Sequence, residues 1–410
     1  MSNVVDHLGH GLEPIKLEPH RIRPSHRHAN PSAPWPWLDT GDVVDQVQLD
    51  KTLALVPQPC SHIDCECWAG CPHSQFPNWT KLQVMRSKIW DAIHIYDSAT
   101  ACTIHRCDMD TTSGQFSDAG PLPALEGHDG ESWRAIINDL TQRPTNVTLR
   151  ALFVEHMSGP VLQMLGAKSK IEPFFFSSSL NWIPSRFQED IWEDAGDHVT
   201  ITLPFIKAMS ETEFTRRATV VEDTDFRSMA AKSGTLLGSQ RNDTEAPFLI
   251  YSISTVLALD LLSVHLVRNI KGSTLISYHP SLSIPTTTAP FLHGRVRFAS
   301  QSAHWKKIFR TSPDPTLVLL CLIWHVVYSW DEALESLYDH ILYLEDVFMS
   351  KARMPLAREL HIMRAHHQRY ASLLDDFVKS IHFLRSAPTP FMTQKNFDRD
   401  HCLSLSSLYG

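Results

Sequence analysis

Apolar residues near the C-terminal end of the chain recur at alternating intervals of three and four positions. This repeat predicts two long helices, because it puts one apolar stripe along the surface of each. Pro355, at the start of the second stretch, suits the first turn of a helix. The predicted stripes are Leu320, Ile323, Val327, Trp330, Leu334, Leu337, Ile341, Leu344 and Phe348 on the first helix, and Leu356, Leu360, Met363, His367, Tyr370, Leu374, Phe377, Ile381 and Leu384 on the second.

The short connection between these helices predicts that they fold back on each other as an antiparallel hairpin over residues 312–388. Charge favours the same pairing: residues 314–349 carry seven acidic side chains and no Lys or Arg, whereas residues 351–385 carry seven basic and three acidic ones. Each exposed pair of opposite charges contributes only about 0.2 to 1 kcal/mol. We therefore expect the two apolar stripes to hold the hairpin together, with His367 as a packing residue.

Upstream of the hairpin, helical and strand patterns alternate. A short helix is predicted over Ser132–Leu140, and another begins at Ser158 as the cap and stops at Gly166. Lys271 and Gly272 indicate a hairpin turn between the last two strands. The mixture predicts an α/β or α+β domain with a mixed sheet over residues 81–311. The predicted strands are Ile171–Phe176, His198–Ile206, Pro247–Thr255, Leu261–Asn269 and Ser273–Tyr278.

Both ends of the chain lack sustained periodicity. Residues 1–80 are rich in Pro, His and charge and are predicted to be mostly disordered, and residues 389–410 read as a short polar tail. The longest apolar run, Leu317–Tyr328, has twelve residues, whereas a bilayer span needs about 20. The first twenty residues hold no apolar secretory signal. We expect a cytoplasmic protein with no membrane insertion by this chain alone, at most peripheral to a membrane through a partner.

Composition narrows the classes of partner. The chain has 410 residues, of which 43% are apolar, and a formal net charge of -8. That length and apolar content suffice for a sizeable core. The charge lacks the basic excess typical of nucleic-acid binding, so no nucleic-acid partner is expected.

One cluster of metal-ligating residue types stands out, between Cys60 and His73. Thiolates and imidazoles are the ligands that zinc prefers, so this cluster is a candidate zinc site. Its spacing departs from paired Cys-x-x-Cys knuckles, and reduced thiols are the alternative interpretation. The candidate ligands are Cys60, Cys65, Cys67, Cys71 and His73.

Linear signatures of catalysis are missing from the sequence. It contains no glycine-rich phosphate loop, no Gly-x-Ser-x-Gly elbow and no His-Glu-x-x-His motif. No catalytic residue or organic cofactor is therefore predicted, and a role other than that of an enzyme is expected.

From Phe153 onward the chain resembles the cytoplasmic part of CorA-type magnesium and divalent-cation transporters, in their divergent fungal branch. The residues that carry the resemblance are Phe153–His156, Ser158–Leu162, Ile171–Phe176, Asn181–Arg186, Asp260–Leu266, Ser277–Pro280, Ser312–Pro315 and Trp330–Leu334. It implies a cytosolic α/β domain and two antiparallel helices, followed by a stalk helix, two membrane spans and a Gly-Met-Asn pore motif. It also implies Mg2+ sensing between the subunits of a ring.

After Pro390 the resemblance stops, and no stalk, span or pore motif follows. The leading hypothesis is a protein related to CorA-type Mg2+ transport that is not transport-competent alone. It would form a homo-oligomer, or associate with full-length CorA-like subunits, through the helical hairpin. A free-standing interaction module with the same fold and a zinc-dependent regulator are the alternatives.

Overall fold

The computed structural model describes residues 67–387, apart from residues 77–78, 80, 97–100, 125–129, 193–195, 221–243, 245, 270–271, 280–286, 313 and 351–353. After a 3-10 turn at Cys67–Gly70, the helices are α1 Lys81–Arg86, α2 Ile89–His94, α3 Gly130–Thr141, α4 Gly159–Lys168, α5 Phe174–Leu180, α6 Glu211–Val220, α7 Ala289–Gln301, α8 Ala303–Thr311, α9 Thr316–Ser350 and α10 Met354–Ser386. The strands are β1 Cys102–Asp110, β2 Phe116–Ala124, β3 Val147–Glu155, β4 Ser185–Trp192, β5 Gly196–Ser210, β6 Phe248–Ile250, β7 Thr255–Arg268 and β8 Ser273–His279.

The strands form one mixed sheet in the order β2-β1-β3-β8-β7-β5-β4, with β6 also paired to β7. Strands β2, β1 and β3 are antiparallel neighbours, and so are β8, β7, β5 and β4. The two antiparallel groups meet along a single parallel ladder, in which Leu149 of β3 pairs with Ser273 of β8. The expected mixed α/β class is therefore confirmed.

Both faces of the sheet are covered, which gives three layers. One apolar core contains Leu152 and Val154 of β3 together with residues of α3, α4 and α5. The other contains Ala151 and Phe153 of the same strand together with residues of α7 to α10. Burial on both sides explains why β3 is an almost continuous apolar run.

Arg150 interrupts that run, and its side chain is only 1% exposed. Its Nε and Nη2 donate to the two carboxylate oxygens of Asp108 on β1, at 2.7 and 2.9 Å. Its Nη1 donates to the carbonyl oxygens of Asp139, Leu140 and Gln142, at 3.0, 2.7 and 3.0 Å. These carbonyls belong to the last turn of α3 and the residues after it, where helical carbonyls lack partners within the helix. Arg150 thus ties two strands to a helix end.

A second buried ion pair joins the other antiparallel group. Arg268 of β7 donates through Nε to Asp197 of β5 at 2.7 Å, and its Nη2 also donates to that carboxylate. Both side chains are buried. Each half of the sheet therefore has one internal, hydrogen-bonded charge pair.

The strand predictions were partly right. Strands over His198–Ile206, Leu261–Asn269 and Ser273–Tyr278 are confirmed, and β5 and β7 are longer than predicted. The stretch Pro247–Thr255 is strand at β6 and again at Thr255, the first residue of β7, because residues 251–254 form a turn between them. Of the predicted hairpin turn, Lys271 lies outside the described residues.

The prediction of a strand over Ile171–Phe176 was wrong. Pro173 is the N-cap of a helix there, and the Glu172 carboxylate accepts the N–H of Phe174, the first helical residue, at 2.6 Å. Phe174, Phe175 and Phe176 are all buried. A short run that is buried on every side has no readable period, so it fits a helix as well as a strand.

The predicted helices are present, with one boundary displaced. Ser132–Leu140 lies within α3, and Ser158 is the N-cap residue of α4. Gly166 does not stop α4, which continues to Lys168. A Cβ on Gly166 would come within 3.1 Å of the Cys71 sulfur and 3.4 Å of the Phe176 ring, so this glycine permits close packing rather than a turn.

Both long helices of the C-terminal region are present, but their burial differs from the predicted stripes. Val327, Leu334 and Phe348 on α9 and Leu360 and His367 on α10 are exposed. The sheet as well as the partner helix covers α9. The buried face of α9 is therefore rotated around the helix relative to the stripe predicted from the sequence. The side chain of Leu356 lies outside the described residues. The buried residues of α9 are Val318, Leu319, Leu322, Ile323, His325, Val326, Ser329, Trp330, Ala333, Leu337, His340 and Leu344.

Packed structure begins before residue 81. Trp68 and Cys71 are buried, and the Trp68 ring centroid lies 5.6 Å from that of Trp133 on α3. Residues 1–66 and 388–410, which include most of the predicted disordered segment and the whole predicted tail, lie outside the described residues.

Removing one partner of a buried ion pair leaves the other charge without compensation. We expect Asp108→Ala to lower the free energy of unfolding by about 3 to 5 kcal/mol, as measured by urea denaturation. Arg216→Ala removes an exposed helical ion pair to Glu213 and should cost no more than about 1 kcal/mol.

The double variant Asp108→Leu with Arg150→Met removes both charges and should be more stable than Asp108→Ala. Equal losses in the Asp108 and Arg216 variants would contradict the role given to Arg150.

Candidate functional site

The zinc candidates lie only partly within the described residues. Cys60, Cys65 and the side chain of Cys67 are outside them. Cys71 is buried as a free thiol, and burial raises its pKa to about 12. The Nδ1 atom of His73 lies 2.9 Å from the Trp79 carbonyl oxygen. The zinc site therefore stays a prediction.

Across the described part of the chain, no group of three or more His, Cys, Asp or Glu side chains is arranged to hold a metal ion. The acidic residues of α9 are instead spread along its solvent-exposed surface. They are Asp331, Glu332, Glu335, Asp339, Glu345 and Asp346, all exposed.

Helix α9 carries a second regular stripe, on the side that faces away from the sheet. Its members follow one another at alternating intervals of four and three, and every one is exposed. Met349 is 86% exposed and Tyr338 is 61% exposed. We call this set the exposed stripe: Trp324, Tyr328, Asp331, Glu335, Tyr338, Leu342, Glu345 and Met349.

The outer face of a surface helix is normally polar. On the exposed stripe, five of the eight members are aromatic or aliphatic and the other three are carboxylates. A contiguous exposed apolar surface on a folded protein usually marks an interaction site. The sequence repeat could have identified this face, because the same spacing rule holds in a second register.

Apolar residues on both sides of α9 also make it membrane-like by composition. Among the described helices, Thr316–Met349 is the one that is long and apolar enough to cross a bilayer, and 61% of its most apolar window is buried inside the fold. Packing against the sheet accounts for the buried part of that apolar content, since β5 and β7 lie beneath the helix.

Two contacts relate α9 to α10. The ring centroids of Trp330 and Tyr370 are 6.4 Å apart, and His340 Nε2 lies 3.7 Å from a Glu359 carboxylate oxygen. Residue numbers rise along one helix and fall along the other, which is the order expected of an antiparallel pair. The antiparallel hairpin itself stays a prediction, with its connection at residues 351–353 outside the described residues.

The contact at His340 also includes the turn after β6. The His340 side chain is completely buried, and its Nδ1 lies 2.8 Å from the Ser252 hydroxyl. The Tyr251 hydroxyl donates to Glu359 at 2.8 Å. Burial lowers the pKa of His340. This cluster joins both long helices to the sheet and has the character of a structural contact.

A second polar cluster lies beneath α9, where Asp260, Thr287 and His325 are each nearly buried. The Thr287 hydroxyl donates to the Asp260 carboxylate and lies 3.4 Å from His325 Nε2. The Asp–Thr–His order resembles a catalytic relay. Here it links β7 to α9, because Asp260 belongs to β7 and His325 to α9. Asp260 also accepts the Leu261 N–H at 2.7 Å.

Comparison with known proteins gives no direct guide to function: no family model and no curated protein matches the chain. Among the described features, the exposed stripe is therefore the candidate functional site with the clearest physical signature.

The buried imidazole of His325 should make the protein sensitive to acid. Burial, with Lys207 and Arg295 nearby, lowers its pKa to about 4, whereas an imidazole in the unfolded chain has a pKa near 6.5. The unfolded state therefore binds more protons, so stability is present above about pH 6.5 and is lost as the pH falls toward 4. Protonation of this imidazole alone should lower the free energy of unfolding by about 2 to 3 kcal/mol at about pH 4.5, relative to neutral pH.

We expect the free energy of unfolding of His325→Leu to fall less between pH 7 and pH 4.5 than that of the wild type. Denaturant titrations at each pH measure both values. His382→Leu, at an exposed position of α10, is the control and should keep the wild-type dependence. An unchanged dependence in His325→Leu would show that another group dominates.

Proposed function

We propose that this chain acts in divalent-cation transport as the cytosolic part of a CorA-like protein, and that it does so by assembling through α9. The observation that carries the proposal is the exposed stripe on the first of two long helices that follow a mixed-sheet domain. That order of elements is the one expected from the CorA resemblance. An interaction through this face would cover the aromatic side chains that are otherwise in water.

Charge supports a contact between α9 of one copy and α10 of the next. Helix α9 has six acidic residues and no Lys or Arg, whereas α10 has five basic residues against three acidic ones. Arg364, Lys379 and Arg385 on α10 are exposed. A contact between two different faces repeats from copy to copy and closes a ring when the rotation permits. A full-length CorA-like subunit could occupy one position of such a ring.

The carboxylates of the exposed stripe fit a weakly held Mg2+. This ion prefers oxygen ligands, keeps several waters and typically uses one or two carboxylates. Asp331 and Glu335 are four residues apart, which makes them neighbours on a helical surface. Mg2+ bound there would also reduce repulsion among the acidic residues of α9 itself.

Self-association is the first test. We expect the purified chain to form oligomers in sedimentation velocity experiments at roughly tens of micromolar. Tyr338→Lys with Leu342→Lys should shift it to monomer, because two positive charges would then face the basic α10 of the next copy. Phe298→Lys is the matched control, since Phe298 is 73% exposed on α7, away from the stripe. Oligomers that survive the double variant would overturn the assigned surface.

Ion binding is the second test. A ligand at about a hundredfold excess over its Kd stabilises the native state by about 2.7 kcal/mol, so a thermal melt with MgCl2 should shift upward relative to KCl of equal ionic strength. Asp331→Asn with Glu335→Gln should abolish the difference. Glu211→Gln, on α6, should retain it.

A soluble interaction module with the same fold is the second candidate, and the same apolar stripe favours it. The two tests separate the candidates. Assembly with no Mg2+-specific stabilisation supports the module, whereas loss of both the Mg2+ response and assembly in the carboxylate variant supports the transporter-related role.

A further inference from the structure

A pocket with a volume of about 190 Å³ opens on the opposite face of the sheet from α9. It lies between α3, α4 and strands β3, β7 and β8. Lys168, Arg143, Ser169 and Thr274 are its polar lining residues, and aliphatic side chains such as Leu152 and Met164 form the rest. For scale, an apolar cavity of about 150 Å³ is large enough for benzene.

Lys168 is the unusual member of this lining. Its Nζ is buried and has no hydrogen-bond partner. A buried ammonium without a partner is costly, because it loses its hydration and gains nothing in return. Lysine at a helix C-terminus often binds the last carbonyls, but Nζ makes no such bond although Lys168 is the last residue of α4. Its charge is therefore available to a ligand.

Arg143 adds a second positive charge to the pocket. Its Nη1 donates to the Ser273 carbonyl oxygen at 2.6 Å, and its Nη2 donates to the Thr274 hydroxyl. Both acceptors are neutral, so they fix the guanidinium without cancelling its charge. Gly272 makes room for it, since a Cβ there would meet Nη1 at 2.9 Å.

The charged groups around Arg143 do not neutralise it either. Burial, followed by repulsion from Arg150, lowers the pKa of Arg143 to about 10, and attraction from Asp108 opposes the shift. The Asp108 carboxylate is already held at both oxygens by Arg150. Arg143 therefore remains protonated at neutral pH and leaves the pocket positive.

We propose that this pocket binds a small organic anion, with a carboxylate head between Lys168 and Arg143 and a short aliphatic body against Leu152, Met164 and Val267. Two cations and two hydroxyls suit an oxyanion. The aliphatic walls favour a carboxylate that carries an alkyl chain over inorganic phosphate, whose outer atoms are all polar. The pocket and the exposed stripe lie on opposite faces, so this inference does not rest on the proposed function.

Isothermal titration of the full chain with butanoate tests the proposal. We expect saturable 1:1 binding, and binding weaker by about tenfold or more in Lys168→Met, since a charge-assisted hydrogen bond is lost. Lys307→Met, at an exposed position of α8, should bind like the wild type. Butan-1-ol, with the same chain but no charge, should bind more weakly than butanoate.

Stability without ligand provides a second, independent measurement. Lys168→Met removes a buried, unpaired charge, so its melting temperature should equal or exceed that of the wild type, and butanoate should raise the melting temperature of the wild type alone. Equal butanoate affinity in Lys168→Met, or no butanoate binding by the wild type, overturns the proposal. Binding of inorganic phosphate without butanoate would overturn the carboxylate assignment.

Discussion

The guanidinium of Arg150 is the interaction on which much of the sheet depends. It lies in the middle of the interior strand β3, whose adjoining residues Leu149 and Ala151 are apolar and buried. A charge there is tolerable only if each of its N–H groups has an acceptor. Asp108 provides charge compensation and three carbonyls at the end of α3 provide the remaining acceptors. Because these acceptors come from a strand and a helix, their positions relative to β3 are fixed together. The adjacent basic pocket follows from the same arrangement, since Arg143 lies just beyond α3.

Long, regular patterns in the sequence predicted the corresponding structure well. The apolar runs of β5, β7 and β8 have the length and composition of buried strands, and the repeat at the C-terminal end predicts two helices. The run at Phe174–Phe176 failed because burial on all sides removes the period that distinguishes a helix from a strand. Packed structure begins before residue 81, because Trp68 and Cys71 are buried through contacts with residues distant in sequence.

The predicted stripes of α9 and α10 illustrate a second limit. Helical spacing identifies an apolar face but not the surface that covers it, and α9 has apolar residues in more than one register. The face of α9 that contains Trp330, Ala333 and Leu337 is buried. The second apolar face of the helix stays exposed to solvent as the exposed stripe. The basic pocket had no signal in the sequence at all, because Arg143 and Lys168 are 25 positions apart and belong to no common motif.

The single parallel ladder between β3 and β8 has a consequence for synthesis of the protein. Strands β2, β1 and β3 form one antiparallel unit from nearby sequence, whereas β8 emerges from the ribosome more than a hundred residues after β3. Until then, one edge of β3 has no partner, and its apolar side chains lack part of their cover. Contacts of such high sequence separation form slowly, and an unpaired strand edge invites association with other chains. The nascent protein is therefore expected to need protection, by a chaperone or by the ribosome itself, until its second antiparallel unit is complete.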